Sequence, residues 1–388
     1  MEFFLQSLDN HRIFNFNNVT ASNTPGEFFN LLKQGLTCSK VAYISTLYFG
    51  ETEITNELIS LIEIRNKTGK RTVVFLDAAR GMTKHIKRMI FKHNLYENFY
   101  FKQMNFTFLP GRLSEFLSVF HSKLILFDDI VVFTGANITD DYFTTRIDRY
   151  YSINDPSLAN NLIEEFFFPL MKQSKRDGYN IIPKNTQKIV LNDYKKIDNQ
   201  SPKVIQYDET SEFNILEALA KQGFKEFYIS TAYLNFPDKY INLLKNLTVK
   251  IFVSAPETNK FNNYGLFCNT VTEIYKYSSL KTALRLPKAQ IYEFKKEGYT
   301  IHTKGLWAFS DSLSVTIVGS SNFNRRSFER DSELNFLLVS NKKEHIDIFR
   351  KEVSFMSDNS NLATLKDLSC RHYSLFIMII YFVINKFL

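Results

Sequence analysis

"HSKLILFDDIVVFTGAN", residues 121–137, decides the fold, because the chain writes it twice. The second version is "IHTKGLWAFSDSLSVTIVGSSN" (301–322). Both carry a His and a Lys two places apart, an apolar run, a polar turn, a second apolar run, and a Gly followed closely by Asn. Earlier segments echo each other as well. "VAYISTLYFG" (41–50) and "EFYISTAYLN" (226–235) share Tyr-Ile-Ser-Thr-x-Tyr, and "TVVFLDA" (72–78) resembles "TVKIFVSA" (248–255). Tyr43 precedes His121 by 78 residues, and Tyr228 precedes His302 by 74. The same parts in the same order mark an internal duplication.

Within each half, strand-like and helix-like signals alternate. Val41–Thr46 and Arg71–Leu76 read as buried strands, and Ile54, Leu58, Leu61 and Ile62 recur between them at helical spacing. Asp155-Pro156 is a helix start, continued by Leu158, Leu162 and Phe166 on one face. Asn341 and Glu344 make a capping-box pattern ahead of Ile346, Phe349 and Val353. The expected fold is α/β: two repeated lobes, each a mixed sheet flanked by helices. The expected division is lobe one at 1–170, a basic linker at 171–204, lobe two at 205–357 and a tail at 358–388.

The bulk numbers agree. A chain of 388 residues makes about two domains. With 44% hydrophobic residues, 38 Phe and 20 Tyr, it is not a disordered chain. A net charge of +8 suits an anionic partner, though basic charge also serves solubility alone. Between Lys172 and Lys203 stand eight Lys/Arg and three Asp, over half of that excess. Cys38, Cys268 and Cys370 are far apart without a CxxC spacing, which argues against a disulfide framework and a thiolate zinc site. "MEFFLQSLDNHRIF" has the pattern of neither a secretory nor a transit peptide. "YSLFIMIIYFVINKFL" (373–388) is apolar but shorter than the roughly 20 residues of a spanning helix. An interfacial or anchoring segment and a buried terminal segment both fit it.

The chemistry resides in the repeated pairs. Residues two apart on a strand point the same way, so His121 and Lys123 would share a face, as would His302 and Lys304. An imidazole beside a fixed ammonium suits phosphoryl chemistry: one attacks or moves a proton, the other stabilises phosphate oxygens. Gly135 and Gly319 permit close backbone approach, and Asn137 and Asn322 offer amides to the same phosphate. Each His needs an acid to hold its tautomer. Asp148 lies 11 residues after Asn137, and Glu333 lies 11 after Asn322. This spacing assigns Asp148 to His121 and Glu333 to His302. Asp128, seven places after His121, cannot share the His-Lys face of a continuous strand and belongs at a turn; Phe309 replaces it in the second copy. A lone His-x-Lys is usually structural. Here the recurrence of His, Lys, Gly, Asn and acid carries the argument. The five other histidines read as ordinary core or surface residues; His85 and His93 on a probable helix have no nearby acid in sequence.

These residues resemble the phospholipase D superfamily, whose repeated motif is HxKxxxxD. Within it, "FLDAARG" (75–81), "GANITDDYFTTRIDRY" (135–150), "SAPETNKF" (254–261), "HTKGLWAF" (302–309) and "GSSNFNRRSFERDSE" (319–333) resemble eukaryotic-type CDP-diacylglycerol–glycerol-3-phosphate 3-phosphatidyltransferases. The resemblance covers roughly 40–340; Lys260 stands where that branch has Gly, and the apolar tail is not a hallmark of it. It implies two lobes meeting face to face with one active site at their seam, CDP-diacylglycerol and glycerol 3-phosphate as substrates, a phosphohistidine on His121, and His302 as the acid and then the base. It adds Asp128 to the catalytic set. It also implies that no metal or other cofactor is needed, since two lysines supply the positive charge. A lipid substrate implies a membrane surface with anionic lipid, and the family suggests the mitochondrial inner membrane or a related organelle. Phosphatidylserine synthase, cardiolipin synthase and phospholipase D are rivals on the same fold. A nuclease and an inactive scaffold are rivals of other classes, and no nucleic-acid partner is expected because no stacked aromatic and basic platform is visible.

Overall fold

The computed structural model describes residue 8 and residues 11–104, 118–174, 201–258 and 266–385. Lys260 and most of the basic segment 171–204 lie outside them.

Eighteen strands form among the described residues: β1 (Arg12–Asn15), β2 (Val19–Ser22), β3 (Val41–Ser45), β4 (Arg71–Asp77), β5 (Phe99–Lys102), β6 (Leu124–Phe127), β7 (Ile130–Thr134), β8 (Arg146–Ile147), β9 (Tyr150–Asn154), β10 (Lys203–Tyr207), β11 (Glu226–Ser230), β12 (Lys250–Ser254), β13 (Gln290–Phe294), β14 (Thr300–Ile301), β15 (Gly305–Phe309), β16 (Ser314–Gly319), β17 (Asn335–Ser340) and β18 (Ser360–Ala363). One sheet runs β2-β9-β7-β6-β3-β4-β5. The other runs β1-β10-β17-β16-β15-β11-β12-β13-β18. Without its two edge strands, the second order repeats the first strand for strand. In both, three parallel strands continue into an antiparallel set.

The edges correct the expected boundaries. Strand β1 belongs to the sheet of the second lobe although it comes first in the chain, and β18 extends that lobe past 357.

Both faces of each sheet are covered, so the central strands are apolar on both sides. In lobe one, Ile44, Val74, Ile125 and Val132 face outward against helices that include Pro25–Cys38 and Glu53–Lys67. Tyr43, Phe75, Leu124 and Phe133 face inward. There they meet Tyr228, Phe252, Trp307 and Phe336 of lobe two in one shared core. The Phe133 and Phe336 rings lie 4.3 Å apart in it. The seam is therefore apolar at its base, which holds the lobes at fixed spacing.

Helix ends follow local chemistry. Thr24 caps Pro25–Cys38 by accepting from the Glu27 N–H at 3.2 Å. Asp155 caps Pro156–Leu162 as expected, accepting from the Leu158 N–H at 2.9 Å. The capping box at Asn341 does not form: the helix is Lys343–Asp358, with Lys342 at its cap and no side-chain bond there. His93 does meet an acid, Glu63, from the neighbouring helix. Among the described residues no helix is long and apolar enough to cross a membrane.

Candidate active site

Each His-Lys pair sits just ahead of a strand, not on it: β6 begins after Lys123 and β15 after Lys304. The reason is a detour across the seam. Phe120 bridges to Ser332, and β14 pairs with β8. The His121 N–H donates to Ser332 O at 2.9 Å, and the His302 N–H donates to Ile147 O at 2.8 Å. Each His is thereby carried past the acid-bearing segment of the opposite lobe, where Glu333 follows Ser332 and Asp148 follows Ile147.

The His-acid pairing expected from spacing is therefore corrected: the couples cross. His121 Nδ1 lies 2.9 and 3.1 Å from the Glu333 carboxylate oxygens. His302 Nδ1 lies 3.3 Å from Asp148 Oδ2. All four side chains are buried.

The repeated Ser-Thr pair has a physical purpose. At the end of β3, Ser45 donates to Ser122 O at 3.0 Å, and at the end of β11, Ser230 donates to Thr303 O at 3.2 Å. These bonds pin the middle residue of each His-x-Lys. The next residue holds the Asn loop: Thr46 donates to Asn137 Oδ1 at 3.5 Å, and Thr231 donates to Asn322 O at 2.7 Å. Asn322 Oδ1 is buried without a hydrogen-bond partner among the described residues.

The two halves differ in how they hold their cations. Lys123 Nζ donates to His121 O at 2.7 Å. Lys304 Nζ donates to Asp148 Oδ2, Gly135 O and His302 O, each at 3.0 Å, and also meets His302 Nδ1. The Tyr142 hydroxyl reaches the same Nδ1 at 2.9 Å. Asp148, Lys304 and Tyr142 thus all crowd Nδ1 of His302, whereas only the Glu333 carboxylate faces Nδ1 of His121. Facing an acceptor alone, the neutral His121 ring carries its proton on Nδ1 and presents a bare Nε2. Neither Nε2 has a hydrogen-bond partner among the described residues.

Burial sets the charges. It pushes His121 below the ordinary imidazole range, with Glu333 pulling the other way. Burial, reinforced by Lys304, drives His302 further down. Both imidazoles are neutral. Burial and then the neighbouring Lys304 charge push Lys123 down to about 7. Burial alone would raise Glu333, but His121 and Lys123 outweigh it and hold the carboxyl at about 2. Asp148 is held down likewise, by Lys304 and His302 against burial.

Asp128 is not at the site. It lies at the far end of β6, in the left-handed region with φ 50°, and its carboxylate accepts from the Lys40 and Val41 N–H groups at 3.0 and 2.8 Å. It fastens the start of β3. In lobe two the Lys225 N–H, counterpart of Lys40, donates to the carbonyl of Phe309 at 3.0 Å. There the backbone serves in place of the carboxylate, so Phe309 costs the second site nothing.

Several contributing residues were missed. Tyr142 contacts His302 and lies inside the quoted "DDYFTTRIDRY". Tyr233 sets its ring edge-on to His302 at 5.5 Å and ends the repeated Tyr-Ile-Ser-Thr-x-Tyr, so both had a signal. Asp77 accepts from the Phe120 N–H at 2.8 Å, and Asp331 accepts from the Val119 N–H at 3.0 Å. Only the folded chain brings those acids to the segment entering His121.

The two buried His-carboxylate couples and two buried lysines sit on a duplicated mixed α/β fold of the phospholipase D-like kind. Residues 215–354 match the family model described as "Cardiolipin synthase, PLD-like domain". The fold is similar to that of phosphatidylserine synthase from Haemophilus influenzae, with TM-score 0.81, 18% identity, and coverage of 100% of this chain and 99% of that one. In sequence, the chain is 25% identical to the CDP-diacylglycerol–glycerol-3-phosphate 3-phosphatidyltransferase of Saccharomyces pastorianus, over 90% of this chain and 84% of that protein. It is 23% identical to the mitochondrial enzyme of that name from Homo sapiens, over 83% of this chain and 74% of that protein.

Proposed function

We propose that this chain transfers the phosphatidyl group of CDP-diacylglycerol to sn-glycerol 3-phosphate, giving phosphatidylglycerophosphate and CMP. The observation that carries the reading is the pair of crossed His-carboxylate couples, on a chain similar over most of its length to enzymes of that name.

With the His302 proton placed on Nε2, the two rings divide the labour. Nε2 of His121 attacks the phosphorus that bears diacylglycerol, and the P–O bond to CMP breaks. The leaving oxygen takes the proton from Nε2 of His302, while Nδ1 of His302 takes one from Lys304. The 1-hydroxyl of glycerol 3-phosphate then returns a proton to His302 Nε2, Lys304 recovers its own, and the new alkoxide displaces the phosphatidyl group from His121. Lys123, Asn137 and Asn322 hold the phosphoryl oxygens, placing fixed charge where charge develops. Glu333 orients the His121 ring, and Asp148 holds Lys304 against Nδ1 of His302. The lipid substrate places the protein at a membrane surface, and the mitochondrial inner membrane is the location we propose.

The acceptor decides between this reading and its rivals. Incubation with CDP-diacylglycerol and radiolabelled glycerol 3-phosphate in detergent micelles should yield a labelled lipid and release CMP. Phosphatidic acid as the sole product would make the protein a hydrolase, and transfer to serine instead would make it a phosphatidylserine synthase.

A further inference from the structure

The last helix, Leu375–Ile384, reads LFIMIIYFVI, and the Ser374 hydroxyl caps it by accepting from the Ile377 N–H at 3.2 Å. One side fastens it to lobe two. Ile377 is buried, the Tyr381 ring stands edge-on to Tyr277 at 5.2 Å, and Asn235 Nδ2 donates to Asn385 O at 2.7 Å. The other side is bare. Leu375, Phe376, Ile379, Phe382 and Val383 are all exposed, five of the twelve large apolar side chains so exposed among the described residues. Single exposed apolar residues are ordinary, but a set gathered on one short helix marks an interaction face. Ten residues rise about 15 Å, half the roughly 30 Å of a bilayer's hydrocarbon core. Such a helix lies in the membrane interface and does not cross it.

Beside the helix is a cleft of about 260 Å³. Met378, Tyr381 and Phe382 form one wall; Lys281, Arg285 and Arg325 stand on the other. Asp238 bridges Arg285 at 2.6 Å and Arg325 at 3.0 Å, so two of the three cations share one carboxylate and the wall stays net positive. Phe382 belongs both to the cleft and to the bare face. We propose that the helix and the cleft together dock the protein on an anionic bilayer, the bare face entering the interface and the cationic wall taking a lipid phosphate. A second copy of the chain fits this face poorly, because a twofold pairing would bring two cationic clefts together. The docked face is also tied to the site: Asn235, which holds the helix end, lies two residues after Tyr233, whose ring touches His302.

The choice of a membrane rests on the lipid-transfer reading above, and the test separates the two. The full chain is floated, without substrates, with vesicles of phosphatidylcholine alone or with about 30% phosphatidylglycerol. The wild type should float with the anionic vesicles and be released by salt. Phe376→Asp with Ile379→Asp should lower flotation by about tenfold or more while leaving activity in detergent micelles unchanged. Lys281→Glu should weaken binding to anionic vesicles only. Equal flotation of the double variant and the wild type would overturn the proposal, as would wild type that stays in solution. Equal binding to neutral and anionic vesicles would remove the cleft from it. A wild-type dimer in sedimentation that the double variant abolishes would reassign the face to self-association. Micellar activity without flotation leaves the transferase reading standing, and flotation without activity does the reverse.

Discussion

Asp128 and Glu333 show how little a residue's type says about its work. Both are acids in motif-bearing stretches. Asp128 spends its carboxylate on two backbone N–H groups at the start of β3. Asp128→Ala should therefore lower stability by about 1–3 kcal/mol, the cost of leaving such donors unmet, with kcat/KM nearly unchanged. Thermal denaturation beside steady-state rates would check this, and a large loss of rate with an unchanged Tm would refute it. The Glu333 carboxylate lies against the ring of His121, with Ser320 as a further side-chain partner. Glu333→Gln keeps the shape but removes the charge that fixes the Nδ1–H tautomer. It should slow the first step by roughly 10²–10⁴-fold, the range for a misplaced acid–base partner. In a single turnover, CMP release should slow by that factor without a matching fall in Tm. Gly135 shows a constraint of another kind. A Cβ there would stand 2.8 Å from Asp148 Oδ1 and from Gly319 O, and 3.0 Å from Lys304 Nζ. The glycine admits the Asp148–Lys304 pair, where its expected service was to the substrate.

At the scale of elements, the seam is held by short cross-lobe ladders and by one buried strut. Arg149, between β8 and β9, has no exposed side-chain surface. It donates to Thr316 Oγ1 at 2.6 Å and to Glu352 at 2.8 and 3.0 Å, and its guanidinium lies 4.0 Å from the Trp307 ring centre. The Trp307 indole N–H meets the same carboxylate at 2.7 Å. Arg149→Met fills the space but leaves the partly exposed Glu352 carboxylate to the Trp307 and Tyr151 donors, so it should cost about 1.5–3 kcal/mol, the usual range for lost hydrogen bonds to a charged group. Chemical denaturation would measure it, and a loss under about 1 kcal/mol would show that the strut is dispensable. These elements also mark the limit of what the sequence discloses. The repeated strands were legible because period and composition are local, and so were His121, His302 and their lysines, because the duplication places them in register. The crossed couples were not. Glu333 stands 212 residues from His121, and equal spacing within each half pointed to the nearer acid. Which lobe faces which is a property of tertiary packing, to which spacing along one half is blind. Strands β1 and β18 were hidden for a related reason: an edge strand joins whichever sheet is free beside it, whatever its place in the chain.

The closed two-lobed molecule sets the pH dependence, because neither lobe alone would bury Lys123 beside Lys304. That burial, and then the neighbouring charge, push Lys123 down to about 7, while burial pushes His121 below the usual imidazole value of about 6.5. The proposed reaction needs His121 neutral and Lys123 charged. As pH rises through about 7 the ammonium of the free enzyme is lost, and the transition-state charge it would stabilise goes unmet. As pH falls, His121 stays neutral further than an exposed histidine would. The profile of kcat/KM, which reports the free enzyme, should thus be a bell displaced to the acid side, falling above about 7. The profile of kcat should extend further into alkali, since a bound phosphate favours the ammonium. Lys123→Arg supplies a charge that does not titrate in this range. Its rate should be lower, because the planar guanidinium fits a lysine site badly, but its alkaline limb should disappear. A wild-type kcat/KM that is flat between about 6 and 9, or a Lys123→Arg profile that keeps the limb, would show that another group governs the reaction.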